Sequence, residues 1–296
     1  MKAVLLVSAL TLSVNLVMAQ GYVFRVLANK GENTVKSGSE WKPVKTGSTL
    51  NMSDELKVSN GSYLGLIHKS GKTLELKTAG DYKVNQLMAN LNSNNSSVAS
   101  KYADFIMSKM SDDTKSHRLS VTGAVERSTL KEAIKVYIPS SVEVLNPETL
   151  VRWTNVKGAT YEVTFKNMFD ETIAVAETNE PVLNLNLDDP ALATERLVIL
   201  NVKVKGDENL KSGDYGIKRM SDEDAVQIKK NLVELQEMAK EETALNKLIL
   251  ASFYEENGLI MDALTNYEYA IQLSPDVDAF RLAYDEFAAR NGLIKN

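Results

Sequence analysis

The sequence predicts a multidomain α+β protein, with two β regions in succession and an all-helical C-terminal end. Three observations carry this expectation. From Tyr22 to about Asn85, short apolar stretches are separated by turn dipeptides, among them Lys30-Gly31, Thr46-Gly47, Asn60-Gly61 and Ser70-Gly71, which is the punctuation of small strands. Between Val136 and Arg219, β-branched and aromatic residues gather again into strand-length runs. After Met220 the apolar period changes to three and four residues and stays there.

The chain opens on Lys2, an apolar centre and Val17-Met18-Ala19, the order of a secretory signal, so cleavage is expected after Ala19. Ser8, Thr11, Ser13 and Asn15 interrupt the apolar run and leave it short of the roughly 20 residues a membrane span needs. With 0 cysteines, neither a disulfide nor a cysteine-linked lipid is available, and stability must come from buried apolar surface. The expected location is the periplasm or outside of a Gram-negative cell.

Within the first β region, Leu64 and Leu66 face Leu74 and Leu76 across Lys69-Ser70-Gly71-Lys72. Residues Tyr63 to Lys69 and Lys72 to Lys77 therefore read as a β-hairpin with one buried face. Three stretches, Val26 to Gly31, Trp41 to Gly47 and Asp54 to Ser62, resemble the FecR-type β domain. That resemblance implies a small β fold used for contacts in the cell envelope and brings no catalytic residue with it. Next come an Asn/Ser-rich patch, a helix carrying Tyr102, Phe105, Ile106 and Met110, a strand-like return through Leu119 and Val121, and a linker over Ser128 to Lys135.

In the second β region, Leu150 to Trp153, Tyr161 to Phe165, Thr172 to Val175, Val182 to Leu185 and Leu197 to Val204 are successive strands at sandwich spacing. Trp153, Val156, Gly158, Ala159, Tyr161 and Val163 resemble the signature of fibronectin-type and other immunoglobulin-like domains. The helical end starts with a capping pattern, Ser221 with Asp224, and an apolar stripe of Ala225, Ile228, Leu232, Leu235 and Met238. Beyond it, Leu250, Ala251, Tyr254, Gly258, Ala263, Tyr267, Ala270 and Pro275 resemble the tetratricopeptide repeat, a helical interaction module. Phe280, Tyr284 and Phe287 close the array. The expected parts are a signal peptide (1–19), a FecR-like β domain (20–86), a helical appendage and linker (87–135), an immunoglobulin-like sandwich (136–219) and tetratricopeptide-like helices (220–296).

Candidate chemistry is sparse. His68 lies in a strand where an exposed ring is expected, and His117 lies in a Lys/Ser/Arg loop; no spacing links them into a metal site. No G-x-S-x-G or Cys/His pairing points to a nucleophile, so a hydrolase is only a second alternative. Asp188-Asp189, Asp207-Glu208 and Asp214 fall in β connections, where Asp closes turns, and do not form a calcium loop. No cofactor and no metal are expected.

Without Lys2 the chain has 33 basic and 39 acidic residues, which argues against nucleic acid as partner. The imbalance is local. Gln20 to Asp112 carries 12 basic and 8 acidic residues, whereas Ser221 to Asn296 carries 7 and 15. The expected function is non-catalytic protein binding in the envelope, with the acidic tail as the principal binding end and Glu255, Glu256, Asp262 and Glu268 as exposed contacts. The tail has two possible targets: a basic partner, or the basic N-terminal part of this chain or of a second copy. The tetratricopeptide members that grip a terminal carboxylate use lysine and asparagine. Here the corresponding face shows Leu245, Leu248, Ser252 and Glu255, so that activity is not carried over. The first alternative is glycan or peptidoglycan recognition through exposed aromatics, for which Trp41 and Tyr63 are candidates.

Overall fold

The computed structural model describes residues 21–89, 91, 101–102, 104–106 and 134–293. The export segment, Met110, His117 and the strand expected through Leu119 and Val121 lie outside the described residues. None of the described helices is long and apolar enough to cross a membrane.

The first β region forms β1 (Phe24–Lys30), β2 (Thr34–Ser37), β3 (Glu40–Pro43), β4 (Thr49–Leu50), β5 (Glu55–Val58), β6 (Tyr63–His68), β7 (Thr73–Leu76) and β8 (Gly80–Lys83), followed by α1 (Val84–Ala89). These strands make two antiparallel sheets, ordered β4-β1-β6-β7 and β3-β2-β5-β8. Between the sheets lie Phe24, Val26, Leu50, Leu56, Leu64, Leu66 and Val84. Leu87 and Leu91, expected to open the appendage, pack on this core too. Gly71, at a φ of 91°, closes the β6–β7 hairpin in a conformation that side chains resist.

Strand β6 departs from the expected single buried face, because all six of its residues are buried. Leu64 and Leu66 point into the sandwich, while Tyr63 and Ile67 belong to the core of the helical tail. A register shift between Val26 and Ala28 in β1 serves the same end. It lets Leu27 and Ala28 both join the helix-side core, where strict alternation would send one of them inward.

The second region forms β9 (Ser141–Val144), β10 (Glu148–Arg152), β11 (Tyr161–Lys166), β12 (Thr172–Thr178), β13 (Val182–Asn186), β14 (Leu197–Val204), β15 (Asp207–Lys211) and β16 (Tyr215–Arg219). One sheet runs β12-β11-β14-β16-β9, with β15 on β14; the other is the pair β10-β13. Residues of β11 alternate between buried and half-buried, which places Tyr161, Val163 and Phe165 in the core. Trp153 stacks edge-on against Tyr161 with ring centres 5.4 Å apart. The Tyr161 hydroxyl accepts a hydrogen bond from the Val156 N–H at 2.6 Å, tying the turn before β11 to that core. Strands β9, β15 and β16 were not expected, being short and rich in charged and small residues.

The tail is four helices, α2 (Asp222–Met238), α3 (Ala244–Glu256), α4 (Ile260–Leu273) and α5 (Asp278–Arg290). Ser221 caps α2, its hydroxyl accepting from the Asp224 N–H, and Thr243 caps α3 by accepting from the Asn246 N–H. A short turn with Gly258 at a φ of 74° folds α4 back on α3. Ala251, Ala263 and Ala270, all fully buried, let the pair approach, and Tyr254 and Tyr267 fill the space around them. This same core cluster takes in Leu27, Ala28, Tyr63 and Ile67 of the first sandwich and Leu150 of the second. The tail is thus packed against both sandwiches, while Val226 and Val233 of α2 and Leu273 of α4 stay exposed.

Candidate functional site

The four carboxylates expected to face solvent are the places where the structure departs most from expectation. Asp262, in the first turn of α4, is 2% exposed. Its Oδ2 accepts from the Leu145 N–H at 3.0 Å; its Oδ1 accepts from the Asn146 N–H at 2.9 Å and from Asn146 Nδ2 at 2.6 Å. Burial pushes its carboxyl above the ordinary range, against these three donors, which favour the charged form. Asn146 Nδ2 also donates to the Tyr254 hydroxyl at 2.9 Å, and burial pushes that phenol up to about 12.

One turn on, Thr265 Oγ1 accepts from the Leu150 N–H at 3.0 Å. A further turn places Glu268, 5% exposed, against Arg152, whose Nε lies 2.5 Å from it. Burial raises the Glu268 carboxyl, with Arg152 opposing the shift. Asp262, Thr265 and Glu268 are three residues apart and share one face of α4. That face runs along β10, which among the described residues forms a two-stranded sheet with β13, and supplies a side-chain acceptor to its backbone.

Glu255 is held inside the tail. Arg290 donates to it through Nε and Nη2 at 3.0 and 2.8 Å, and the Tyr267 hydroxyl donates to its other oxygen at 2.8 Å. Burial raises the Tyr267 phenol. Glu256, whose side chain keeps 31% of its exposure, pairs with Lys101 at 2.8 Å. The expectation of four exposed carboxylates is therefore corrected for Asp262 and Glu268, which are buried, and for Glu255, which is half-buried, while Glu256 is exposed. Asp262 and Glu268 mark a docking face, because the opposing N–H groups and cation come from the second β region, whereas Glu255 is met from within the tail and Glu256 by Lys101.

The first sandwich docks in the same manner. Glu75 of β7 accepts from the Leu245 N–H at 3.0 Å, placing a carboxylate at the positive end of α3. Thr73 Oγ1 donates to Asn246 Oδ1 at 2.6 Å. A Cβ on Gly65 would sit 3.0 Å from both methyl carbons of Leu245, so β6 and α3 approach as closely as a glycine permits. Of the two targets the charge imbalance implied, the N-terminal part of this chain is engaged in the structure, with Lys30–Asp276 and Lys101–Glu256 crossing to it.

Other candidates fare as follows. His68 is buried, which corrects the expected exposed ring. The Ser70 N–H donates to Nδ1 at 3.1 Å and the Ser70 hydroxyl lies 2.7 Å from it, so Nδ1 accepts and the ring proton sits on Nε2. A serine hydroxyl beside a histidine nitrogen has a dyad's spacing. It lacks the group that would orient the ring, since Nε2 has no hydrogen-bond partner among the described residues. The ring sits beside the hairpin turn, with Phe24 edge-on at 5.4 Å. Asp188 pairs with Arg219 and Glu208 with Lys203, and no group of three or more metal-binding side chains gathers among the described residues.

The face expected to be the inner side of the repeat, with Leu248 and Ser252, opens on a shallow recess of about 10 Å³ that Phe105, Ile106, Tyr267 and Arg290 help to line. Small-molecule sites occupy about 300–1,000 Å³. The helical residues 101–102 and 104–106 lie on this face, with Tyr102 edge-on to Phe253 at 5.2 Å and Ile106 buried.

Sequence reasoning missed the two most exposed large apolar side chains among the described residues. Met168 and Phe169, 66% and 74% exposed, form the tip between β11 and β12. The tip is rigid. Asn167 Oδ1 accepts from the N–H groups of Phe169 and Glu171, its Nδ2 donates to Glu171 at 2.7 Å, and Asp170 holds a φ of 66° while pairing with Lys166. The signal was legible: Asn-Met-Phe-Asp is a turn sequence that carries two large apolar residues. No family model matches this chain, and no curated protein is detectably similar to it in sequence.

Proposed function

We propose that the protein is a non-catalytic adaptor of the cell envelope, in which a tetratricopeptide-like tail acts as the frame and FecR-like and immunoglobulin-like β modules carry the recognition surface. The observation that carries this reading is the Met168–Phe169 tip. Two large apolar side chains held in solvent by a hydrogen-bonded turn are costly unless something covers them, and a rigid turn lowers the entropy lost on binding. The engaged state of the tail's carboxylates supports the same division of labour.

The test compares wild type with a Met168→Ser/Phe169→Ser double variant in crosslinking from envelope fractions. Both should fold alike by circular dichroism, and the variant should lose the partner bands that wild type gives. An unchanged set of bands would remove the tip from the proposal.

A second reading, glycan recognition, is favoured by Trp41, which is 44% exposed with Lys57 Nζ 5.5 Å from its ring centre. Tyr63, its expected companion, is buried in the tail contact. Co-sedimentation with peptidoglycan that disappears in Trp41→Ala would select this reading.

A further inference from the structure

Strand β12 is the edge of its sheet, and among the described residues only β11 pairs with it. Three other edges are protected. α4 runs along β10, Glu75 of β7 is bonded to α3, and β3 carries Lys42 and Pro43. β12 reads Thr172-Ile173-Ala174-Val175-Ala176-Glu177-Thr178, with no proline and no lysine. Its one charge, Glu177, is matched by Lys205 at 2.6 Å on the sheet. Val175, at its centre, is 55% exposed.

We infer that this edge pairs with the same edge of a second copy, antiparallel and centred on Val175. The sequence is nearly palindromic about that residue, so an antiparallel two-fold sets Val175 opposite Val175, Ala174 opposite Ala176 and Thr172 opposite Thr178. Such a joint is isologous. Glu177 then faces Ile173 of the other copy, and no like charges meet within the strand. The irregularity in the β11–β12 ladder falls at the Ile173 end and leaves Ala174 to Thr178 in regular register. The two-fold works whichever way the free N–H and C=O groups of Val175 point, because antiparallel ladders accept a two-fold at either kind of residue pair. The doubled sheet leaves one Met168–Phe169 tip at each end, so the inference does not depend on what covers the tips.

The purified protein is followed by sedimentation velocity from about 1 µM to about 1 mM, the range in which a joint smaller than a standard interface dissociates. Wild type should dimerise with rising concentration. Val175→Lys and Val175→Glu should each remain monomeric, with association at least about tenfold weaker, because like charges then meet on the axis. An equimolar mixture of the two variants should restore the dimer, and Phe169→Ser should leave it unchanged. A wild type that stays monomeric throughout overturns the inference, whether the edge is open or is covered by another part of the chain or by an extended peptide. A dimer that survives Val175→Lys overturns it in favour of another surface, and failure of the mixture to reassociate overturns the Val175-centred register.

Discussion

Asp262 and Asn146 are 116 residues apart in the chain, yet one carboxylate oxygen accepts both the backbone N–H and the side-chain N–H of the asparagine, at 2.9 and 2.6 Å. The other oxygen takes the Leu145 N–H. A single buried carboxylate therefore holds the β9–β10 turn against the start of α4. Asp262→Ala should destabilise the protein by about 2 to 4 kcal/mol, since it leaves buried donors unpaired while relieving the burial cost of the charge. Asp262→Asn should fall nearly as far, because one amide oxygen cannot replace two and its NH₂ faces donors. Urea denaturation measures both; a change below about 0.5 kcal/mol would place the carboxylate in solvent.

Reversing Glu255, Glu256, Asp262 and Glu268 together to lysine should abolish cooperative folding. Two of the four are almost fully buried, and a lysine at 268 would face Arg152. Loss of the cooperative thermal transition is the expected result. A variant with native circular dichroism and an unchanged melting curve would show that these side chains are free.

Gly65 and Leu245 are expected to be coupled. Gly65→Ala brings a methyl to within 3.0 Å of the leucine, costing about 1 to 3 kcal/mol by overpacking. Leu245→Ala alone removes buried contacts. The double variant should be less destabilised than the two losses combined, because the space left by the leucine receives the methyl. Additive losses would mean that the two residues do not touch.

His68 gives the fold a pH dependence of definite sign. Burial, with Lys69 and Lys72 nearby, lowers its pKa below the ordinary value of 6.5. The folded protein then binds fewer protons at this ring than the unfolded chain. Stability from this site is present above pH 6.5 and is lost as pH falls through the lowered folded value. Asp262 and Glu268, raised by burial, act oppositely, since acidification relieves the cost of their charge. Wild type should lose more thermal stability between pH 7 and pH 5 than His68→Gln does; parallel curves would assign the ring to solvent.

Much of the architecture could be read from the chain because local chemistry specified it. The Ser221 cap, the Gly71 turn and the strand over Tyr161 to Phe165 each depend on residues close in sequence, and each stands where expected, whereas Gly258, expected to let two helices approach, closes the turn between them. What could not be read was the far side of an element. Leu64 and Leu66 announced the inner face of β6, but nothing local to Tyr63 and Ile67 disclosed that a helix some 180 residues later would cover them. The same limit explains the carboxylates. At helical spacing Asp262 and Glu268 look like a solvated stripe, and only the arrival of Asn146 and Arg152 turns them into a clamp.

The face of α4 that docks on β10 can be probed directly, because the chain has 0 cysteines and any introduced thiol is unique. Thr265→Cys places a thiol of similar size where the threonine is 4% exposed against Leu150, and Val175→Cys places one on the open strand. Labelling rates should differ by at least about a hundredfold, with the buried thiol reacting only when the tail opens. Equal rates would contradict a tail docked on the second sandwich and would return Asp262 and Glu268 to solvent as candidate partner contacts.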